Sequence, residues 1–344
     1  MRTLKFTGNS YEIGRELEEH YREWHQDLPT DINRRTLSRQ LAIYRKHFPS
    51  LIEEIRGMAD EATGEGSYEK LLYSVLAHGV DNMRVRPPET KGCTIFGVKT
   101  PSGLIVGRNY DWIPQARDAF HIYNMNITGR YSYTGISDMN IYKRRHASHK
   151  HWSFSAEDTI NEKGLYIGLT FAHNPRFGYG LSSTHMIRLI AETCATVDEA
   201  LKVFRKVPLM IAKNFFVADA SGNMAIVEHN SKIFKVLRPD ERGILIQTNH
   251  YLAPELARED FCLKECPAHD TYVRYYEALC GINRAGKDFN ATYAHKILRK
   301  SPYIYANDPD GFMTIWSLVL DMTAKHYHLV FDTASCERTM EILP

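Results

Sequence analysis

The sequence predicts an α+β fold, and three observations predict it. Residues 1–92 carry apolar side chains at helical spacing. After Gly92 the pattern changes to short apolar runs paired around Gly-containing turns. The helices further on fall in groups between these hairpins instead of alternating with single strands, which sets the chain apart from βαβ architectures.

Taken in order, a short strand is expected over Thr3–Phe6, then a helix capped by Ser10 with Ile13, Leu17 and Tyr21 on one face. Leu37, Leu41, Tyr44 and Phe48 mark a second helix, stopped by Pro49. Ile52, Ile55 and Met58 mark a third, and Tyr68 to His78 a fourth; the charged faces of all four read as solvated. Strands at Thr94–Val98 and Leu104–Asn109 flank a Pro-Ser-Gly turn. The same form recurs in NFFVADASGNMAIVEHN (214–230) and TIWSLVLDMTAKHYHLVFD (314–332), with no fixed period and so no solenoid. Helices are expected over Thr184–Cys194 and Val197–Val207, and again near His269–Gly281 and Asn290–Lys300. No Gly/Ser-rich or Pro-rich linker divides the chain, so residues 1–92 and 93–344 read as two segments of one domain.

At 344 residues and 43% hydrophobic, the chain can bury a large core. A net charge of +2, spread along the chain, points to neither a nucleic-acid nor a membrane partner. No apolar run approaches the roughly 18 residues a membrane span needs, and the start MRTLKFTGNSYEIG lacks a signal-peptide core, so a cytoplasmic protein is expected. The six cysteines are too few for a disulfide scaffold. Cys262 and Cys266 form a C-x3-C pair that no second pair answers, so free thiols are expected and no metal site.

The chemistry concentrates in KGCTIFGVKTPSGLIVGRNYDW (91–112). Its residues leave three readings of Cys93 open: a buried strand cysteine, a thiol activated by a histidine such as His250, or a new N-terminus made by cutting Gly92–Cys93. The third reading puts nucleophile and base in one residue, because a free α-amino group titrates near about 7.7–8, close to working pH. Gly92, without a Cβ, tolerates the strained backbone that attack of the thiol on its carbonyl requires. Pairing around the turn brings the Arg108–Asp111 end of one strand to the Cys93 end of the other. Asp111 can then orient the ammonium, and Arg108 places a cation near the sulfur.

GCTIFGVKTPSGLIVGRNYDW resembles the start of the mature chain in N-terminal nucleophile (Ntn) hydrolases of the linear amide type: choloylglycine hydrolases, penicillin V acylases and acyl-CoA:6-aminopenicillanic acid (isopenicillin N) acyltransferases. The long segment before the cysteine and SYEIGRELEEHY (10–21) resemble the last group most. NEKGL (161–165), NFFVADASGNMAIVE (214–228), TNH (248–250) and TIWSLVLD (314–321) extend the resemblance along almost the whole chain.

The resemblance implies a four-layer αββα sandwich, two antiparallel sheets between helix layers. It implies a precursor that cuts itself at Gly92–Cys93, leaving an α chain (1–92, retained) and a β chain (93–344). It makes Cys93 the nucleophile of a thioester mechanism, Asp111 the holder of the α-amino group, Arg108 the arginine near the thiol and Asn249 an oxyanion donor. Where bile-salt hydrolases carry a further asparagine, this chain has Thr170, which leaves that oxyanion or substrate contact to Thr170, to a backbone N–H, or to nothing. Arg274, in DTYVRYYEAL (270–279), matches a family arginine only approximately.

YKRRHASHKH (142–151) could dock an anionic substrate group or the CoA of an acyl donor, although a solvated loop is the simpler reading. His326 and His328 share a strand face, which reads either as a metal pair or, more simply, as one exposed face. Tyr110 and Trp112, with Phe120 and Tyr123, suit either an acyl pocket or the core. The expected function is a self-processing cysteine amidohydrolase on linear C–N amide bonds of small N-acyl compounds. Acyl-CoA-dependent N-acyl transfer is the alternative, and a catalytically degenerate binding protein the alternative of another class. No cofactor is implied beyond a CoA thioester as donor, and a homo-oligomer is left open.

Overall fold

The computed structural model describes residues 3–21, 28–29, 31–62, 67–82, 92–118, 120–137, 156–172, 174, 176–260, 270–308, 311–332 and 337–342. The N-terminal segment opens with strand β1 (Thr3–Gly8) and helices α1 (Ser10–Tyr21), α2 (Arg34–His47) and α3 (Pro49–Glu61). Helix α4 (Ser67–Leu72) runs through a π-helical turn (Tyr73–Ala77) into α5 (His78–Asn82). Two local expectations change. The cap of α1 is Asn9, not Ser10: Asn9 Oδ1 accepts from Glu12 N at 3.0 Å and Glu12 Oε2 accepts from Asn9 N at 2.8 Å, a reciprocal box that makes Ser10 the first helical residue. Pro49 both ends one helix and opens the next, because a first-turn position needs no N–H.

Next come strands β2 (Gly92–Thr100), β3 (Gly103–Trp112), β4 (His121–Ile127), β5 (Tyr133–Ser137), β6 (Asp158–Asn161) and β7 (Tyr166–Phe171). Helices α6 (Ser183–Thr193) and α7 (Val197–Lys206) precede β8 (Lys213–Ala218), β9 (Met224–His229), β10 (Phe234–Leu237) and β11 (Ile244–Gln247). The chain ends with α8 (Pro254–Ala257), α9 (Thr271–Ala285), α10 (Ala291–Lys300), β12 (Met313–Asp321), β13 (His326–Asp332) and β14 (Glu337–Glu341).

One sheet has eight strands in the order β1-β4-β5-β6-β7-β8-β9-β10, the other six in the order β11-β2-β3-β12-β13-β14. Every neighbouring pair is antiparallel except β1 with β4. Alternation sends each strand's side chains to two layers. Ile95, Val106, Ile136, Tyr166, Phe216 and Trp316 meet between the sheets. Phe96, Val98, Ile105 and Val319 face α9 and α10. Ile167, Leu169, Phe215 and Val217 face the N-terminal helices, α6 and α7. The result is the expected helix–sheet–sheet–helix stack, in which each fully buried apolar side chain stabilises by about 1.5–3 kcal/mol. Among the described residues no helix is long and apolar enough to cross a membrane, and no group of three or more His, Cys, Asp or Glu could hold a metal.

The N-terminal segment is built into this stack. β1 extends the larger sheet, and Gln40 on α2 donates to the Leu76 and Gly180 carbonyls at 2.7 and 3.0 Å. Tyr44 shares a 2.7 Å hydrogen bond with His185 of α6.

Candidate active site

The hairpin β2–β3 pairs Gly92 with Asp111 and Cys93 with Tyr110, so its open end gathers the thiol, Arg108 and Asp111. Period-two alternation then sorts them. Cys93, like Ile95, faces the layer between the sheets, where Tyr110 also lies. Gly92 and Asp111 share the opposite face: a Cβ at residue 92 would lie 3.0 Å from Asp111 Oδ2 and 3.1 Å from Asp111 Cβ. A side chain at residue 92 would push the carboxylate back by a few tenths of an ångström from the peptide unit that carries the Cys93 nitrogen. Asp111 Oδ1 accepts from the Thr314 hydroxyl at 2.7 Å. Burial raises the Asp111 carboxyl above its ordinary value, with Arg274 and Thr314 opposing that shift.

Arg108 is fully buried beneath the thiol. Its Nε donates to both oxygens of Asp158, at 3.1 and 3.2 Å, and its Nη1 to the Asn109 carbonyl at 2.8 Å. Asp158 also accepts from Tyr166 at 2.7 Å and from Trp316 Nε1 at 3.0 Å. Burial disfavours the guanidinium charge, but Asp158, and after it the Cys93 side chain, hold Arg108 well above its ordinary value. Arg108 Nη2 is buried with no hydrogen-bond partner among the described residues. The cation is therefore permanent and lies beside the sulfur.

The backbone of Cys93 is held from the other side. Its N–H donates to Asn249 Oδ1 at 2.8 Å, and its carbonyl accepts from Arg274 Nη1. Arg274 also donates to Thr94 Oγ1 at 3.2 Å, to Asn249 Oδ1 at 2.8 Å and to Asp270 at 3.1 Å. The first turn of α9 sets this up: Thr271 Oγ1 accepts from Asn249 N at 2.8 Å, and Arg274 reaches inward one turn later. Arg274, the weakest match in the sequence, lies at the centre of the network.

Other expectations shift. Asn249 is at the site, but its Oδ1 serves the Cys93 nitrogen and its Nδ2 donates to the Phe171 carbonyl at 3.1 Å. Thr170 is no oxyanion donor in this arrangement, because its one hydroxyl proton goes to the Thr248 carbonyl at 2.6 Å, pinning the loop that carries Asn249. Tyr110 belongs to the core, not to an open pocket: it is fully buried and stacks on Trp316 with ring centroids 3.9 Å apart. Trp112 is partly buried at the rim of the same layer. His250 Nδ1 engages the hydroxyls of Thr248 and Thr271 at 3.1 and 3.0 Å, and its ring stacks on Tyr272. The 142–151 stretch and Cys262 and Cys266 lie outside the described residues. Sequence reasoning missed Asp158, Thr271 and Thr314. Asp158 stands three residues before Asn161 of NEKGL, but nothing local marks it as the partner of an arginine fifty residues away.

A model of the family described as acyl-coenzyme A:6-aminopenicillanic acid acyl-transferase matches residues 98–335, more than half of the chain and beginning just after Cys93. No curated protein matches. Among solved structures, the chain is similar to penicillin V acylase from Agrobacterium tumefaciens, at 18% identity and TM-score 0.53, covering 73% of this chain and 85% of that one. It is also similar to a variant of conjugated bile acid hydrolase from Clostridium perfringens, at 11% identity and TM-score 0.50, covering 72% and 92%. At these identities the two likenesses show the fold alone.

Proposed function

The chain belongs to the acyl-coenzyme A:6-aminopenicillanic acid acyl-transferase family, and from that premise we propose that it is a self-processing cysteine amidohydrolase acting on linear amide bonds of small N-acyl compounds. The observation that carries this reading is the convergence of Asn249, Arg274, Asp111 and Arg108 on one residue, Cys93.

In the maturation step the Cys93 sulfur adds to the Gly92 carbonyl carbon. The peptide C–N bond breaks, the nitrogen takes up the thiol proton, and water hydrolyses the resulting thioester. The products are a carboxylate on Gly92 and a free α-amine on Cys93. Asn249 Oδ1 already accepts from that nitrogen, and Asp111 lies one peptide unit away, so the amine would be born in its working position. In turnover the amine takes the thiol proton, sulfur attacks the substrate carbonyl, and the proton passes to the departing amine. Water then attacks the acyl thioester through the same base. Arg108 stabilises the anionic sulfur, and Arg274 fixes the Cys93 carbonyl. The expected oxyanion role of Asn249 would fall to Nδ2, the atom now on the Phe171 carbonyl. Segment 1–92 stays bound after cleavage because β1 and helices α1–α5 are part of the stack.

Acyl transfer to an amine shares the acylation half-reaction, and the family's description favours keeping it as a second reading. Intact-mass measurement tests the proposal: wild type should give two fragments, the second beginning at Cys93, and should carry an acyl adduct on that fragment with an activated acyl donor. Cys93→Ala should stay a single chain without adduct. Adding a competing amine and measuring amide product against free acid then separates transferase from hydrolase. Full turnover by uncut protein would rule out the α-amine as base.

A further inference from the structure

Two buried carboxamides in the layer between the sheets have no role in the chemistry above. Gln247, the last residue of β11, is 1% exposed, and neither its Nε2 nor its Oε1 has a hydrogen-bond partner among the described residues. Asn214 on β8 is fully buried; its Nδ2 donates to the His250 carbonyl at 3.3 Å, and its Oδ1 has no partner among the described residues. A buried amide donor or acceptor left unpaired costs about 1–3 kcal/mol, so two at one site call for an explanation.

Alternation places both on the faces that look at each other. On β11, Leu245 belongs to the between-sheet cluster while Ile244 and Ile246 face the helices, so Gln247 points between the sheets. On β8, Phe216 and Ala218 belong to that same cluster while Phe215 and Val217 face the other way, so Asn214 also points between the sheets. Gln247 lies near Cys93, and Asn214 lies against the segment that carries Asn249. Gln247 pairs with Ile95, which shares its face with Cys93 two residues away, and diagonal neighbours in a sheet are about 7–8 Å apart. Asn214 pairs with Thr170, and these two side chains tie down the carbonyls of His250 and Thr248 on either side of Asn249.

We propose that Gln247 and Asn214 form a two-sided clamp for the scissile amide: Gln247 Nε2 on the smaller sheet donates to the substrate carbonyl, and Asn214 Oδ1 on the larger sheet accepts the substrate N–H. A secondary trans amide points its C=O and N–H in opposite directions. A donor on one sheet and an acceptor on the facing sheet match that group. The substrate class is thus a secondary N-acyl amide, in preference to an ester, which lacks the N–H, or a tertiary amide. The inference rests on the reading of Cys93 as the nucleophile.

The test uses full-length protein with the p-nitroanilide and the p-nitrophenyl ester of phenoxyacetic acid, which share acyl group and chromophore. Gln247→Leu is expected to lower kcat/KM about 10²-fold on both, because both present the carbonyl. Its melting temperature should not fall, because an apolar side chain replaces an unpartnered carboxamide. Asn214→Leu is expected to lower the anilide rate at least about tenfold more than the ester rate, the ester serving as the check on folding. Should Gln247→Leu not fold, Gln247→Met has about the same length with no hydrogen-bond donor and is expected to show the same loss. The clamp is overturned if the Gln247 variants stay within about threefold of wild type on both substrates, or if Asn214→Leu lowers both equally. Intact mass separates the two levels. An ester-derived acyl group on Cys93 of wild type with unresponsive variants sinks the clamp alone; no acyl group on Cys93 sinks the nucleophile reading and the clamp with it.

Discussion

Arg108 shows how much of this site depends on single buried charges. Arg108 and Asp158 are both essentially inaccessible, and removing one member of such a pair leaves the other uncompensated in a medium of low polarity. Asp158→Asn keeps the shape and can still accept from Tyr166 or Trp316, but it strips the guanidinium of its counter-charge. Unfolding in urea should show a loss of about 3–5 kcal/mol. Arg274 makes a different case, since Asp270, its carboxylate partner, is largely exposed and its other partners are the Cys93 carbonyl, Thr94 and Asn249. Arg274→Met should therefore cost more in maturation than in stability: a gel time course should show cutting at Gly92 slowed by at least about tenfold, with a smaller change in melting temperature. At this scale the sequence is uneven. Cys93, Arg108 and Asp111 are legible because one short hairpin carries all three. Asp158 is not, because the pairing of β5 with β6 and the packing of two sheets, rather than any local pattern, bring it to Arg108.

Elements with strong turn chemistry announce themselves, and those without it do not. β2–β3, β8–β9 and β12–β13 were each readable as strand, turn, strand. β5, β6, β10, β11 and β14, of four or five residues each, carry no such signal: these runs are too short for an alternation to register. β4 and β7, of seven and six residues, were also missed. The helices followed their apolar spacing to within a few residues, but the spacing says nothing of how two helices cross. Two mid-helix glycines do. A Cβ on Gly14 of α1 would lie 2.0 Å from the Glu54 carbonyl oxygen, and one on Gly57 of α3 would lie 2.0 Å from the Tyr11 carbonyl oxygen. The helices thus meet backbone to backbone. Alanine is better than glycine in a helix by roughly 0.5–1 kcal/mol, but here the obstacle is main chain of a packed partner, and overpacking costs about 1–3 kcal/mol or more. Gly14→Ala and Gly57→Ala should each lower stability by about 2 kcal/mol net in urea, the reverse of the effect at an exposed helix position.

Across the whole molecule, the N-terminal segment and the rest of the chain share one buried ion cluster. Arg188 on α6 pairs with Glu54 of α3 at 2.8 Å and with Glu192 one turn on at 3.1 Å, all three essentially inaccessible. Two carboxylates cannot both be charged cheaply around one guanidinium. Burial pushes Glu192 up to about 7, Arg188 pulls it down and Glu54 adds to the rise. Glu192 Oε2 has no hydrogen-bond partner among the described residues, so in the ionised form it would be a buried anionic oxygen with no donor to it. Because the folded value lies above the unfolded one of 4.5, the folded chain holds this proton more tightly than the unfolded chain. Its contribution to stability is fully present below about pH 4.5 and is lost as pH rises to about 7, a change on the order of 3 kcal/mol. Glu192→Gln keeps an oxygen for Arg188 and places an NH2 where the proton was. Urea unfolding at two pH values tests this: the variant should match wild type near pH 4.5 and exceed it by a few kcal/mol at pH 8. An equal difference at both pH values would mean that Glu192 is charged throughout. The same cluster bears on maturation, since a cut at Gly92 would put Glu54 on one piece and Arg188 on the other. Separating them would expose or strand the Arg188 charge, so after cutting the two pieces should co-elute in size-exclusion chromatography at pH 7.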